Sequence, residues 1–263
     1  MNRYGLIGHP LGHSFSKAYF TEKFKKEGLD CEYQNFDLEE ISLIQPLVAD
    51  HPDLKGFNVT IPYKEAVIPY LNEIDETAKE IGAVNTVKVL PNGQLKGFNT
   101  DVIGIEDTLW GLRGALKGTS VTPEGGYVVP LGHLSKPCLT LILGTGGASK
   151  AIQYVLKKHH LPYHLVSRDS NKGHFTYETL SPAIIKEHLL IINATPVGMA
   201  PNIDESPAIP YEAITPQHIL FDLIYNPEET QFLRNGKAKG AQTINGLTML
   251  YAQAKASWEI WNL

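Results

Sequence analysis

The run Leu139–Leu143 leads directly into Gly144-Thr145-Gly146-Gly147-Ala148-Ser149, with helical periodicity following over Ala148–Lys158. No other feature of the chain constrains its fold as tightly. A short, wholly apolar run closed by glycine is a strand buried on both faces, which calls for a parallel sheet covered by helices. The glycine turn lets a bound group approach the backbone, and the helix start behind it offers N–H groups and the positive end of the helix dipole. Gly144, Gly146, Gly147 and Ala148 are therefore candidates to hold the pyrophosphate of a dinucleotide. Ser149 stands where the usual fingerprint has a third glycine.

The next strand, His164–Val166, ends at Ser167-Arg168-Asp169. A carboxylate at this strand end takes the ribose 2′-hydroxyl of NAD, whereas small polar and basic groups take the 2′-phosphate of NADP. Ser167 and Arg168, with Lys172 nearby, fit NADP, and Arg168 can stack on adenine while pairing with the phosphate. Asp169 opposes that reading unless it faces water. Strands Leu189–Asn193 and Ile219–Leu223 follow. Asn193–Met199, which includes Thr195, lies at a carboxyl end, where open α/β sheets bind ligands.

A second α/β series precedes this one. Arg3–Ile7, Glu32–Phe36 and Gly56–Thr60 read as strands, with helices over Lys17–Glu27 and Glu39–Val48. Val84–Leu90 and Leu95–Phe98 flank Pro91-Asn92-Gly93, whose Asn-Gly is a hairpin signal, and a helix runs from Asp101 to about Leu112. A chain of 263 residues accommodates two cores. The expectation is an α/β protein of two domains: an N-terminal open, mostly parallel sheet for substrate over 1–101 plus 240–263, and a Rossmann-like NADP-binding domain over 102–239, with a cleft between them. Gly114–Pro137, rich in Gly, Pro, Ser and Thr, is expected to be a surface excursion at the junction. The last helix, about Gly246–Trp261, is apolar on two faces, so it is expected to wedge between the domains with Gln253 in the cleft.

Charge and composition exclude several classes. A formal charge of −5 argues against a nucleic-acid partner. The longest apolar runs are too short to cross a bilayer, and the N-terminus lacks the apolar core of a signal peptide, so the expected setting is cytoplasmic. Two cysteines, Cys31 and Cys138, make no disulfide framework or zinc spacing, and His159, His160 and His164 read as surface residues without a carboxylate, so no metal is expected. No apolar stripe is left over to specify a partner, which leaves monomer or homodimer open.

In the first series, three segments carry groups suited to chemistry. Ser14 and Ser16 follow the first strand near a helix start, where two hydroxyls can donate to a carboxylate, although Ser16 also suits a helix cap. Asn58 and Thr60 share one face of an apolar strand and need partners if buried, which a polyol ligand would supply. Lys64 lies near a helix N-terminus, which disfavours its charge, and Asp101 opens a helix, where an acid is ordinary. Paired across a cleft, the carboxylate would favour the ammonium. Asn85 adds a polar group between these segments.

Taken in order, these motifs resemble the shikimate dehydrogenase family over nearly the whole chain. Gly8-His9-Pro10 with His13-Ser14-Phe15-Ser16 is similar to the family's substrate-carboxylate loop, and Asn58-Val59-Thr60-Ile61-Pro62-Tyr63-Lys64 to its catalytic-lysine motif. Gly82–Thr86 and Asn99–Asp101 resemble its other substrate segments, Gly144–Ala148 and Asn193–Met199 its cofactor loops, and Asp222–Pro227 and Gly246–Gln253 its C-terminal motifs. The resemblance implies reversible NADPH-dependent reduction of 3-dehydroshikimate to shikimate, a step of aromatic amino acid and chorismate biosynthesis. It implies that Ser14 and Ser16 bind the carboxylate and that Thr60, Lys64, Asn85, Asp101 and Gln253 bind hydroxyls, with Tyr225 nearby. Lys64, held by Asp101, would be the general acid–base; Leu223 and Gly246 would lie at the cofactor. The family commonly has Asn-Arg-Thr where this chain has Ser167-Arg168-Asp169, and Gly114–Pro137 is longer than the family leads one to expect. A quinate/shikimate dehydrogenase using NAD or both cofactors, and a non-catalytic dinucleotide sensor, are the competing readings.

Overall fold

The computed structural model describes residues 1–12, 14–110 and 139–263. His13, Cys138 and the expected excursion at 114–137 lie outside the described residues. The chain divides into two compact units, Met1–Asp101 with Ala254–Leu263, and Val102–Gln253.

The first unit runs β1 (Asn2–Gly8), α1 (Phe15–Glu27), β2 (Cys31–Asp37), α2 (Ile44–Asp50), β3 (Leu54–Val59), α3 (Tyr63–Ala66), β4 (Glu73–Ile74), α4 (Glu76–Ile81), β5 (Thr86–Val89) and β6 (Leu95–Phe98), and reaches the first residue of α5 (Asp101–Trp110). Its six strands are ordered β2-β1-β3-β5-β6-β4; β3 and β6 pair antiparallel with β5, and the other pairs are parallel. The Asn-Gly hairpin forms between β5 and β6, with Gly93 at φ +80°. The expected helix at Glu39–Val48 instead begins at Ile44, after a 3₁₀ turn at Ile41–Leu43. That start puts Pro46 in the first turn, where its missing N–H costs nothing.

Alternation along β1 sorts the core onto two faces. Ile7 packs with Phe57, Val59 and Val84, while Tyr4 and Leu6 face α1 and the end of the last helix. On that second face the rings of Tyr4 and Trp261 lie 5.0 Å apart and those of Phe20 and Tyr33 4.8 Å apart. Trp261 also donates from Nε1 to Val87 O at 3.0 Å, and a Cβ on Gly56 would overlap its ring. Gly56 is therefore glycine because an indole lies against the strand.

The second unit contains the rest of α5, then β7 (Thr140–Leu143), α6 (Gly147–Lys158), β8 (Tyr163–Val166), α7 (Pro182–Glu187), β9 (Leu190–Asn193), β10 (Ile219–Asp222), α8 (Gln231–Lys237), β11 (Gln242–Ile244) and the start of α9 (Leu247–Asn262). All described pairs are parallel, in the order β11-β10-β9-β7-β8, and β7, β9 and β10 are buried throughout. The strand order reverses between β7 and β9, where α/β sheets open a ligand crevice at the strands' carboxyl ends.

One boundary differs from the sequence reading. The segment from 240 was expected to rejoin the first unit, but β11 hydrogen-bonds to β10, so the second unit keeps the chain until Gln253 and the passage falls inside α9. A three-residue strand has too little pattern to be seen in sequence. Replacing Trp261 with Ala is expected to lower the unfolding free energy of the first unit by about 3–5 kcal/mol, the scale of a buried aromatic truncation. Trp261→Phe, which keeps a ring but loses the bond to Val87 and part of the buried ring volume, should cost less, about 1–2 kcal/mol. Urea unfolding followed by circular dichroism checks both values.

Candidate active site

In the first unit the chain brings Lys64 and Asp101 together across 37 positions of sequence. Beyond β3 the chain turns through Pro62 into α3, whose Tyr63 is anchored by a bond from its hydroxyl to Leu38 O at 2.6 Å. The backbone of Lys64 is tied as well, since its carbonyl accepts from Val84 N at 2.7 Å. Gly82, left-handed at φ +70°, ends α4 and turns the chain toward Asn85. Asn85 N donates to Phe98 O at 3.1 Å, and Asn85 O accepts from Val59 N at 2.8 Å. That residue is thus fixed between β3 and β6.

Asp101 enters from the other side at the start of α5. Its N–H donates to Asn99 Oδ1 at 3.1 Å, and Asn99 Nδ2 donates to Ala83 O at 2.9 Å. Lys64 Nζ then donates to Asp101 Oδ2 at 2.5 Å and Asn85 Nδ2 to Oδ1 at 2.9 Å. The lysine side chain is 17% exposed and the carboxylate 5%, so solvent reaches the pair from the ammonium side. An ammonium held by a buried carboxylate, with its outer side accessible, is suited to exchange a proton with a hydroxyl placed against it.

Not every expected ligand residue faces outward. Asn58 is buried: its Oδ1 accepts from the Tyr33 hydroxyl at 2.8 Å, and its Nδ2 donates to Ser257 Oγ at 2.9 Å and Thr86 Oγ1 at 3.1 Å. Its amide is committed inside the protein, which corrects the reading of Asn58 as a substrate ligand. Ser14, rather than Ser16, caps α1, accepting from Lys17 N at 3.2 Å. Ser16 is buried and its hydroxyl bonds Tyr33, whose phenol is pushed up out of the titratable range by burial. Thr60 is half-buried at the end of β3, close against Gly8. Sequence reasoning placed Thr86, Asn99 and Thr100 inside segments that resemble substrate segments without giving them a role of their own, and it missed Ser257. A lone serine on an apolar helix face was the one signal that could have found Ser257.

In the second unit, Gly144 has φ +103°, and a Cβ there would meet Thr195 Cγ2 at 2.9 Å, so the loops after β7 and β9 touch. Gly146 is the N-cap of α6 and offers no side-chain acceptor, the first turn holds no acid, and an added Cβ at Gly146 meets no described atom within 4 Å. Ser149 is fully buried and accepts from Gln153 Nε2 at 3.3 Å, so it packs where a third glycine would. Arg168 and Lys172 are exposed, and Ser167 is buried. The Asp169 carboxylate turns back into its own loop, accepting from Asn171 N at 3.0 Å and lying 3.8 Å from Lys172 Nζ. Leu223 and Gly246 lie backbone to backbone: a Cβ on Gly246 would overlap the Leu223 carbonyl. Tyr225 and Gln253 are half-buried and belong to this unit. His159, read as lacking a carboxylate, does meet one, Glu106, which Lys158 also pairs with at 2.9 Å.

Asp222, at the end of β10, is fully buried and held by neutral donors: Thr230 Oγ1 at 2.6 Å, Ile224 N at 3.0 Å and Asn193 Nδ2 at 3.1 Å. Asn193 Oδ1 in turn fixes Thr195, accepting from its N at 3.1 Å and Oγ1 at 2.6 Å.

An anion-ready glycine turn at a sheet's switch point, together with a lysine–carboxylate pair on a separate α/β unit, defines the class of dinucleotide-dependent dehydrogenases. Residues 6–87 match the family model of the shikimate dehydrogenase substrate binding domain. The shikimate dehydrogenase (NADP(+)) of Methanococcus maripaludis is 39% identical over 98% of this chain and 90% of its own length. Shikimate dehydrogenase 1 of Peptoclostridium difficile superposes with a TM-score of 0.80 at 36% identity, covering 100% of this chain and 92% of that one. The shikimate 5-dehydrogenase of Thermus thermophilus, solved with NADP(H) and shikimate, gives a TM-score of 0.79 at 30% identity, covering 99% and 93%. The chain belongs to the shikimate dehydrogenase family.

Burial raises the Asp222 pKa to about 6, against the opposing pull of Thr230, Ile224 and Asn193. The unfolded chain releases this proton near about pH 4. Between about pH 4 and pH 6 the folded state therefore binds more protons than the unfolded state, and unfolding free energy falls as pH rises. Relative to Asp222→Asn, the wild type is expected to lose about 2 kcal/mol between about pH 4 and pH 7. Urea unfolding of both proteins across that range measures the difference, and a flat difference would remove the buried charge as its source.

Proposed function

We propose that this chain catalyses the reversible NADP-dependent interconversion of shikimate and 3-dehydroshikimate, in the cytoplasm and in the service of aromatic amino acid and chorismate biosynthesis. The observation that carries the reading is the Lys64–Asp101 pair, with Nζ to Oδ2 at 2.5 Å. When bound, NADP⁺ supplies the hydride acceptor, and the protein must handle the proton. In oxidation the neutral Lys64 amine takes the hydroxyl proton at the carbon being oxidised; in reduction the ammonium returns it to the forming alkoxide. Asp101, bonded to the same nitrogen, holds the charge at that point.

Ser14 accepts from Lys17 N, which leaves its own proton to donate to the shikimate carboxylate. Ser16 joins it by turning its hydroxyl from Tyr33. Thr60, Asn85, Tyr225 and Gln253 take the ring hydroxyls, and Asn58 holds the strand beneath them. The glycine turn fits a dinucleotide, since Gly146 leaves the first-turn N–H groups of α6 without a side-chain acceptor. Gly144, Gly146, Gly147 and Ala148 cradle the pyrophosphate. Ser167, Arg168 and Lys172 receive the 2′-phosphate, which Asp169 tolerates because its carboxylate is engaged within the loop. Thr195, Leu223 and Gly246 border the nicotinamide end.

Comparison of kcat/KM for shikimate and quinate, each with NADP and NAD, tests the assignment, and shikimate with NADP is expected to be highest. Lys64→Ala is expected to lower kcat by about a hundredfold or more with a small change in KM. Better turnover of quinate with NAD would reassign substrate and cofactor, and an unchanged kcat would remove Lys64 from the mechanism. NADP binding with no turnover would point to a sensor.

A further inference from the structure

We infer that Ser257, on the C-terminal helix, is a positioning residue for the acid–base pair, acting through Asn85 on the carboxylate of Asp101. The inference rests on the proposed dehydrogenase chemistry and extends it to a residue outside every motif that suggested that chemistry. Ser257 is fully buried on a stretch of α9 that otherwise buries Ala254, Ala256 and Trp261. A hydroxyl in such a place is costly unless it is hydrogen-bonded. Its Oγ lies 2.9 Å from Asn58 Nδ2, 2.8 Å from Thr86 Oγ1 and 3.2 Å from Thr100 Oγ1. The two threonine hydroxyls are themselves 3.2 Å apart, so three hydroxyl oxygens from β5, from the turn before α5 and from α9 lie at the corners of one triangle.

The triangle bears directly on Asn85. Thr86 Oγ1 and Thr100 Oγ1 each donate to Asn85 Oδ1 at 3.1 Å, and Thr100 N donates to it at 2.7 Å. A backbone N–H can only donate, so the oxygen of this amide faces Thr100 and its nitrogen faces Asp101. That assignment gives Asp101 Oδ1 a donor at 2.9 Å and leaves Oδ2 toward Lys64. With both threonine protons given to that amide, Ser257 donates its single proton to one of the two hydroxyls, while Asn58, tied to the Tyr33 hydroxyl, donates to Ser257. Without the Ser257 hydroxyl, Asn58 Nδ2 loses an acceptor and both threonines lose a neighbour, so the Asn85 amide gains freedom to turn. Acid–base catalysis depends on holding such groups within narrow angular limits.

The test uses the full-length protein with Ser257→Ala, Ser257→Thr as the variant that keeps the hydroxyl, and Thr86→Val as a second break in the same triangle. Ser257→Ala is expected to lower kcat for shikimate oxidation about tenfold, with the KM for NADP unchanged. Thr86→Val should lower kcat likewise, and Ser257→Thr should restore the wild-type kcat. A second readout needs no turnover: the Asn85 side-chain amide protons, followed by NMR, should exchange at least about tenfold faster in Ser257→Ala. A wild-type kcat and wild-type Asn85 exchange in Ser257→Ala would overturn the inference, whatever the change in melting temperature. A wild type that does not oxidise shikimate would instead overturn the proposed reaction, and the amide exchange would still decide the role of Ser257.

Discussion

The ion pair between Lys64 and Asp101 is the constraint that organises the first unit. Withdrawing two charges from water costs several kcal/mol per ion, and attraction offsets this only where geometry is good and the remaining oxygens are bonded. The protein meets both conditions. α3 delivers Lys64 with its carbonyl bound to Val84, Asn99 clips the start of α5, and Asn85 fills the carboxylate oxygen that Lys64 leaves. Such an arrangement is a poor way to gain stability, since well-packed apolar side chains do as well. Its placement, with the ammonium toward solvent and the carboxylate inside, makes sense for moving protons.

The second unit buries a carboxylate of a different kind. Asp222 has no cation among its described partners and relies on Thr230, Asn193 and Ile224, so burial wins and its pKa rises. Its bonds run to the two loops that leave β9 and β10: Asn193 sets Thr195, and the Ile224 N–H sets the turn at Leu223. Each unit thus uses one buried acid to fix the loops at the carboxyl ends of its strands. In the first the acid is paired with a cation; in the second it is held by neutral donors and fixes the loops after β9 and β10.

Much of this is legible in the sequence wherever a local pattern carries the information. Leu139–Leu143 with its glycine turn, the Asn-Gly hairpin and the long helices over 17–27 and 148–158 fall within a few residues of β7, β5–β6, α1 and α6. The short elements β4, α3, α7, α8 and β11 are not legible, because two to seven residues hold too few turns of either period to announce themselves. Asn58 shows a second limit. Alternation gives its face correctly, but whether a buried amide meets a ligand or Tyr33, Thr86 and Ser257 is decided by residues distant in sequence. Asn99 and Thr100 look like ordinary residues before a helix, and only the fold gives them Ala83 and Asn85 as partners.

A crystal structure of the wild-type protein with shikimate tests the central claim most directly. The hydroxyl at the carbon to be oxidised should lie about 2.6–3.2 Å from Lys64 Nζ, the reach required for proton transfer, with Asp101 still bound to the same nitrogen. A shikimate molecule whose hydroxyls all lie beyond that reach of both side chains would contradict the account.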